Sequence, residues 1–318
     1  MQVNLLGHSF STHYLWATLS YTIHKNEDCF QEMLLQFGSD LRECFDKGID
    51  FHGRTLRLVC IGLKADMKLQ ARAGQMTRWY ATARKAPYDP NSRTQSSGRC
   101  CWLCLGGDVA YPYEEIHSEN PAWLGSMQLD TEPPWDDECG LVSFSLRYEK
   151  PATFFLPDLF HIYLAGFGQD YAASALVYLL PIAFQSPYAA SVEAHFEVLN
   201  TCWKAWKKMF KVTTHTRTFN RYNMTYLDNT KTYPSGTWSK ASDTAKIIAF
   251  IEYISGFWLD DHPNDKMLHY IHVTSKAIGV SMRCLYDSDL WIATYLKMVF
   301  YVQNNGFKNV SSFLFHLF

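Results

Sequence analysis

The chain has 318 residues, 47% of them apolar and 16% aromatic, which is ample for packed cores and excludes a disordered or low-complexity protein. Its 29 Lys and Arg against 31 Asp and Glu give a formal net charge of −2, so the chain as a whole lacks the basic excess of an autonomous polyanion binder. The N-terminal residues carry no basic stretch leading into a long apolar one, and Ala172 to Phe184, the most apolar run, contains Pro181 and is too short to span a bilayer. Nine cysteines are too few for a disulfide scaffold; reduced thiols, a nuclear or cytoplasmic location, no secretion and no membrane partner are expected.

In chain order, residues 12–24 are rich in β-branched and aromatic side chains and predict a strand. Apolar residues at Cys29, Phe30, Met33, Leu34, Phe37, Leu41, Cys44 and Phe45 recur at helical spacing and predict a helix over 27–47, stopped by Gly48. A second strand is predicted over 56–63, ending just before Asp66. Strand, helix, strand implies parallel pairing across a crossover helix. Residues 86–99 and 105–138 are rich in turn-formers and predict loops. Beyond Asp158 the pattern is helical, over roughly 158–165, 170–184, 190–211, 242–258, 264–283 and 287–304, and the shift near 155 marks a soft subdomain boundary. The fold class expected is α/β.

Several residues carry chemistry. Asp66, at the end of a strand, stands where sheet proteins often place metal ligands; the plainer reading is an aspartate opening a turn, paired with Lys64 or Lys68. Cys101 and Cys104 form a CxxC beside Cys100, and two thiolates at that spacing reach one tetrahedral Zn²⁺, with His117, Cys139 and His161 as further ligands. Buried structural cysteines are the alternative. Asp158 and His161, three apart on a helix, share a face; either they orient a metal site, or Asp158 caps a helix that Pro157 starts. Trp203 to Lys211 is the one basic and aromatic cluster. Lys204, Lys207 and Lys208 there could contact DNA phosphates, or remain solvated while Trp203, Trp206 and Phe210 are buried. Ser242 is placed as the N-cap of a helix with Ile247, Ile248, Phe250, Ile251 and Ile254 inside, and Glu252 on that helix is either a catalytic carboxylate or a solvated one.

Taken together, a strand-end Asp66, a CxxC at Cys101 and Cys104, and a DxxH at Asp158 and His161 with Gly166 close behind resemble the cut-and-paste DDE transposases, in particular the CACTA and hAT types. The span 12–258 is also similar to transposase-like proteins abundant in some protist genomes, through Ile61 to Asp66, Asp158 to Asp170 and Gly236 to Lys240. The resemblance implies a partial RNase H-like core of strand, helix and strand over 1–85. A large insertion with the CxxC and DxxH follows over 86–240, and a helical C-terminal part over 241–318 completes the core. It makes Asp66 the second catalytic aspartate and Glu252 the catalytic glutamate, with Glu193 and Glu197 as rivals. Cys101, Cys104 and His161 become metal ligands, with Asp158 orienting them. The chemistry implied is Mg²⁺- or Mn²⁺-assisted hydrolysis and strand transfer at DNA phosphodiesters. The family's first aspartate lies on a strand upstream of those found here, and Ala65 stands where the family usually has Gly. The expectation is therefore an N-terminally incomplete or decayed copy without activity in this form. The alternative from another class is a non-catalytic, zinc-stabilised module that associates with DNA or protein.

Overall fold

A computed structural model describes residues 18, 20–83, 98–115, 118, 120–127, 133–137, 140–141, 151–183, 191–224 and 234–287. The fold is mixed α/β, mostly helical with few strands. It divides into two compact units, Met1–Asp158 and Leu159–Phe318. The composition shift near residue 155 falls beside this boundary.

In the first unit, α1 (Tyr21–Lys25) precedes α2 (Glu27–Asp46). Asn26 caps α2 by accepting the Cys29 N–H at 3.1 Å, and Glu27 and Asp28 in the first turn suit the helix dipole. Gly48 ends it with φ +74°; a Cβ there would lie 2.4 Å from Thr55 Cγ2, so only glycine fits. The helix expected over 27–47 is thus present.

The two expected strands fare differently. Tyr21–Lys25 is helical, so this part of the strand read over 12–24 is corrected; residues 12–17 and 19 lie outside the described residues. Within 56–63, Leu56 ends β2 (Arg54–Leu56), which pairs antiparallel with β1 (Ile49–Phe51). Residues 57–62 belong to no strand, and Leu63 opens β3 (Leu63–Lys64). The hairpin turns through His52 and Gly53 at φ 51° and 72°, the positive-φ pair of a two-residue turn. Leu58, Val59 and Ile61 are about half exposed, so their apolar character reflects no buried ladder.

After β3 come α3 (Met67–Ala73), α4 (Ala122–Ser126) and β4 (Phe155–Leu156). Strands β3 and β4 pair in parallel, Leu63 with Phe155 and Lys64 with Leu156. The parallel partner of β3 therefore comes from far downstream. Gln70 on α3 fastens the pair, donating from Nε2 to the carbonyls of Leu63 (3.2 Å) and Leu156 (2.5 Å). The core around it holds Ala71, Met76, Trp102, Trp135, Phe154 and fully buried Phe155. Arg72 ties α3 to the N-terminal helices through Glu27 (2.8 Å), the His24 carbonyl (2.6 Å) and the Phe30 ring.

The second unit is helical: a π-helical stretch Phe160–Phe167, then α5 (Gly168–Ala183), α6 (Val192–Phe210), α7 (Asp243–Leu259) and α8 (Lys266–Asp287). Five expected helices are present; the one read over 287–304 lies outside the described residues beyond Asp287. Trp203 is fully buried, stacked on Trp206 (5.3 Å between centroids) and edge-on to Phe250. All five core positions expected on α7, Ile247, Ile248, Phe250, Ile251 and Ile254, are buried. Ser242 makes no capping bond. Asp243 takes over at that helix start, accepting the Thr216 N–H at 2.6 Å. No helix among the described residues is long and apolar enough to cross a membrane.

Candidate functional site

The β3–β4 ladder sets the first candidate site. Lys64 pairs with Leu156 at the end of the ladder, and two residues beyond each strand stands an aspartate, Asp66 and Asp158. The two aspartates thus follow the C-terminal ends of neighbouring parallel strands, whose backbones the ladder spaces about 5 Å apart. Asp66 caps α3: its Oδ1 accepts the Leu69 N–H at 2.8 Å. One carboxylate oxygen is thereby used and the other carries no such duty. Asp158 is buried, and its Oδ1 lies 3.7 Å from Lys64 Nζ. Lys64 therefore pairs with Asp158 rather than with Asp66. Asp158 directly precedes the helical run that begins at Leu159 and leads into the π-helical stretch.

The cysteines form a tight loop on the same unit. The Leu103 N–H donates to Cys101 Sγ (3.3 Å) and the Gly106 N–H to Cys104 Sγ (3.4 Å). Each sulfur thus takes a backbone donor from two residues on, an arrangement that favours negative sulfur. The Cys104 thiol, the N–H groups of Leu103 and Cys104 and the nearby Arg78 guanidinium bring Cys101 down to about 7, although burial opposes this. Cys104 is driven the other way, first by its bond to Cys101 and then by burial. Gly107 closes the loop at φ +97°, and a Cβ there would meet the Gly98 carbonyl at 2.2 Å. Arg78 Nε holds the Cys101 carbonyl (3.1 Å), and Trp102 Nε1 donates to the Phe155 carbonyl on β4 (3.3 Å). The cysteine loop is consequently anchored to the strand that leads into Asp158.

Of the further zinc ligands considered, His117 and Cys139 lie outside the described residues, and His161 belongs to the second unit. Among the described residues no group of three or more His, Cys, Asp or Glu is disposed to hold a metal. A tetrahedral set would need two donors beyond Cys101 and Cys104, and the described residues do not supply them.

In the second unit, His161 is exposed on the π-helical stretch with its ring against Phe160. Glu252 is half-buried on α7 and faces α8: a Cβ on Gly279 would lie 3.5 Å from its Oε2. Its charge helps burial push the Tyr171 hydroxyl above the usual tyrosine range. Glu193 is ion-paired to Arg221 at 2.5 Å, and Glu197 is exposed on the same helix. Lys204 and Lys208 are exposed on α6. Lys207 turns inward instead, with Nζ 3.3 Å from Thr214 Oγ1, 3.5 Å from the Thr216 carbonyl and 4.9 Å above the Trp203 ring.

Sequence reasoning missed three of these features. The pairing of Lys64 with Asp158 and the Gln70 bridge depend on a strand partner 92 positions away, which no local pattern marks. The His52-Gly53 turn between Ile49–Phe51 and Arg54–Leu56 was legible as a hairpin signal. Compared with known proteins, the chain matches no family model, no curated protein and no solved structure.

Proposed function

We propose that the chain derives from a DDE-type transposase, that its first unit carries part of an RNase H-like core, and that the ancestral activity was two-metal hydrolysis and strand transfer at DNA phosphodiesters. The observation that supports this reading is the placement of Asp66 and Asp158 two residues past the ends of two neighbouring parallel strands. Carboxylates close to rigid strand ends are what a divalent oxygen-seeking ion uses. On this reading one such ion would be held by Asp66, through the oxygen not engaged in capping, and by Asp158, with Lys64 competing for its carboxylate. When bound, Mg²⁺ or Mn²⁺ would polarise a phosphodiester and activate water. Two ions would need more carboxylates than this pair provides, so this form does not cleave DNA. Glu252 is the helical glutamate assigned to the ancestral site on the same reading.

Manganese titration followed by electron paramagnetic resonance tests the site. The wild-type chain takes up Mn²⁺ weakly, and Asp66→Asn and Asp158→Asn each abolish that uptake. Uptake indifferent to both substitutions overturns the assignment. Linear duplex DNA incubated with Mg²⁺ or Mn²⁺ stays intact; cleavage that disappears in Asp66→Ala would keep the site and overturn the inactivity.

A second reading, a non-catalytic module stabilised by Zn²⁺, is favoured by the paired N–H···S bonds at Cys101 and Cys104. Those two thiolates would hold the ion, and its binding would stabilise the loop that Trp102 ties to β4. Elemental analysis of carefully reduced protein should find about one zinc per chain, lost in the Cys101→Ser, Cys104→Ser double variant. Zinc-free wild type rejects it.

A further inference from the structure

We infer that the C-terminal half of α6, together with the extended segment that folds back along it, is a surface for the phosphate backbone of a nucleic acid. The inference rests on the DNA-directed reading above and names the surface it would use.

Charge is sharply segregated in this chain. Residues 198–227 contain six Lys and Arg and no Asp or Glu, in a chain whose net charge is −2. Two of the six have internal duties: Lys207 holds the returning segment, and Arg221 pairs with Glu193. The other four, Lys204, Lys208, Lys211 and Arg217, are exposed, and none has a carboxylate partner among the described residues.

Their placement follows from helix geometry. Lys204 and Lys208 stand at i and i+4 and share one face of α6, and Lys211 follows as its C-cap, in the left-handed conformation at φ 56°. The returning segment is fastened to the adjoining edge of the helix. Asn200 exchanges two hydrogen bonds with Phe219 (2.9 and 2.7 Å), and Trp203 Nε1 donates to the Thr216 carbonyl at 3.3 Å. Thr216 and Phe219 point inward, which leaves His215, Arg217 and Thr218 exposed beside the lysines. The buried stack of Trp203, Trp206 and Phe250 holds the helix rigid beneath.

A helix rise of 1.5 Å per residue separates Lys204 from the end of α6 at Phe210, next to Lys211, by about 9 Å along the axis. Over that length one nucleic-acid strand presents about three phosphates. Tyr222, 93% exposed at the end of the returning segment, offers a ring on which an unpaired base can stack. A group of uncompensated cations on rigid supports, on a chain otherwise acidic, fits a polyanion of regular spacing.

The test is fluorescence anisotropy with the full chain, without divalent ions, on a labelled duplex of about 20 base pairs and on an oligo(dT) of similar length, in increasing KCl. With four phosphate contacts, duplex affinity should fall about 100-fold between about 50 and about 200 mM KCl. Replacing Lys204, Lys208, Lys211 and Arg217 together by Gln should flatten that salt dependence and weaken binding by a similar factor at the low salt. Lys266→Gln with Lys276→Gln, exposed on α8, should leave binding unchanged. Near-UV circular dichroism of the tryptophans checks that each variant is folded. Three results would overturn the inference: no binding to either nucleic acid at the low salt, binding unaltered in the fourfold variant, or polyglutamate competing as well as DNA per unit charge, which would make the surface a protein-binding one. The same titration on Asp66→Asn protein separates this inference from the catalytic reading. Failure of the manganese site leaves the binding result unaltered, and failure of binding leaves the manganese result unaltered.

Discussion

The two units of this chain reach order by different routes. In the second, local sequence and tertiary packing agree. Helices of 16 to 22 residues bury a continuous apolar face, and some of the polar groups inside bond to neighbouring helices. Tyr171, for example, donates to the Ile271 carbonyl at 2.9 Å. In the first, the strands are two or three residues long and cannot hold a sheet by themselves. That unit depends on single side chains bridging distant backbone: Gln70 across β3 and β4, Trp102 onto Phe155, Arg72 onto His24 and Glu27. One unit is held by area, the other by specific polar ties. Both candidate sites of the first unit, the aspartate pair and the cysteine loop, hang on those ties.

The comparison is broken most directly at Trp203. This side chain is fully buried among Trp206, Phe219 and Phe250. Trp203→Ala should cost about 3–5 kcal/mol, read by hydrogen exchange as lost protection over residues 192–287. Protection over 27–76 should stay as it was. An equal loss in both units would mean that they unfold as one block, and the contrast would fail.

Acid should distinguish the units next. Asp243 is fully buried, and burial alone would raise its carboxyl. The N–H groups of Thr216 and His215 and the Lys246 ammonium outweigh this and hold it below the usual aspartate range. A folded value below the unfolded one means stability that is complete above about pH 4 and is lost as pH falls toward the folded value. Hydrogen bonds to a charged group contribute about 1.5–3 kcal/mol, so Asp243→Asn should remove about 2 kcal/mol at pH 7 and make the second unit less sensitive to acid. A variant with the same acid midpoint as wild type would refute the role.

What the sequence discloses follows the same division. Helical spacing over 27–47, 190–211 and 242–258 carries its own geometry, because an apolar stripe at 3.6-residue period has one way to be buried. The core of α7 could be read residue by residue for this reason. Strand pairing has no such local signature. Residues 57–62 are as apolar as a strand yet have no partner, while two-residue β3 pairs with a segment beyond the whole cysteine loop. Of the candidate site, the strand-end position of Asp66 was legible. That Asp158 follows the strand paired with β3 was not, since that depends on β4. The inward turn of Lys207 depends on a segment that returns along α6, which composition cannot show.

The polar ties of the first unit give a smaller and more local test. Gln70 Nε2 is shared by two strand carbonyls. Gln70→Leu keeps the volume and leaves both acceptors without that donor, at a cost of about 1–2 kcal/mol. Exchange at residues 63–70 and 154–156 should quicken while the α7 core does not change. If the cost spreads evenly over the unit, the β3–β4 pair is held by packing on Phe155 instead, and the contrast between the units narrows.

The smallest effect is chemical rather than structural, and it probes the cysteine loop without perturbing the fold. Thiolate, not thiol, reacts with iodoacetamide. In zinc-free protein, Cys101, brought to about 7 by the Cys104 thiol, its backbone donors and Arg78, should be alkylated at half its maximal rate near that pH. Cys202 and Cys60, pushed up by burial, should react only in more alkaline solution. Peptide mapping after timed alkylation between pH 6 and pH 9 separates the three. Cys104→Ser leaves a hydroxyl, a weaker partner for the Cys101 sulfur, and should move the Cys101 profile upward. Because Cys101 titrates through its own loop, Gln70→Leu should leave the profile in place. A shift there would mean that the loop geometry is transmitted from the β3–β4 pair through Trp102, and that the aspartate pair and the cysteine loop are one structural unit rather than two neighbouring ones.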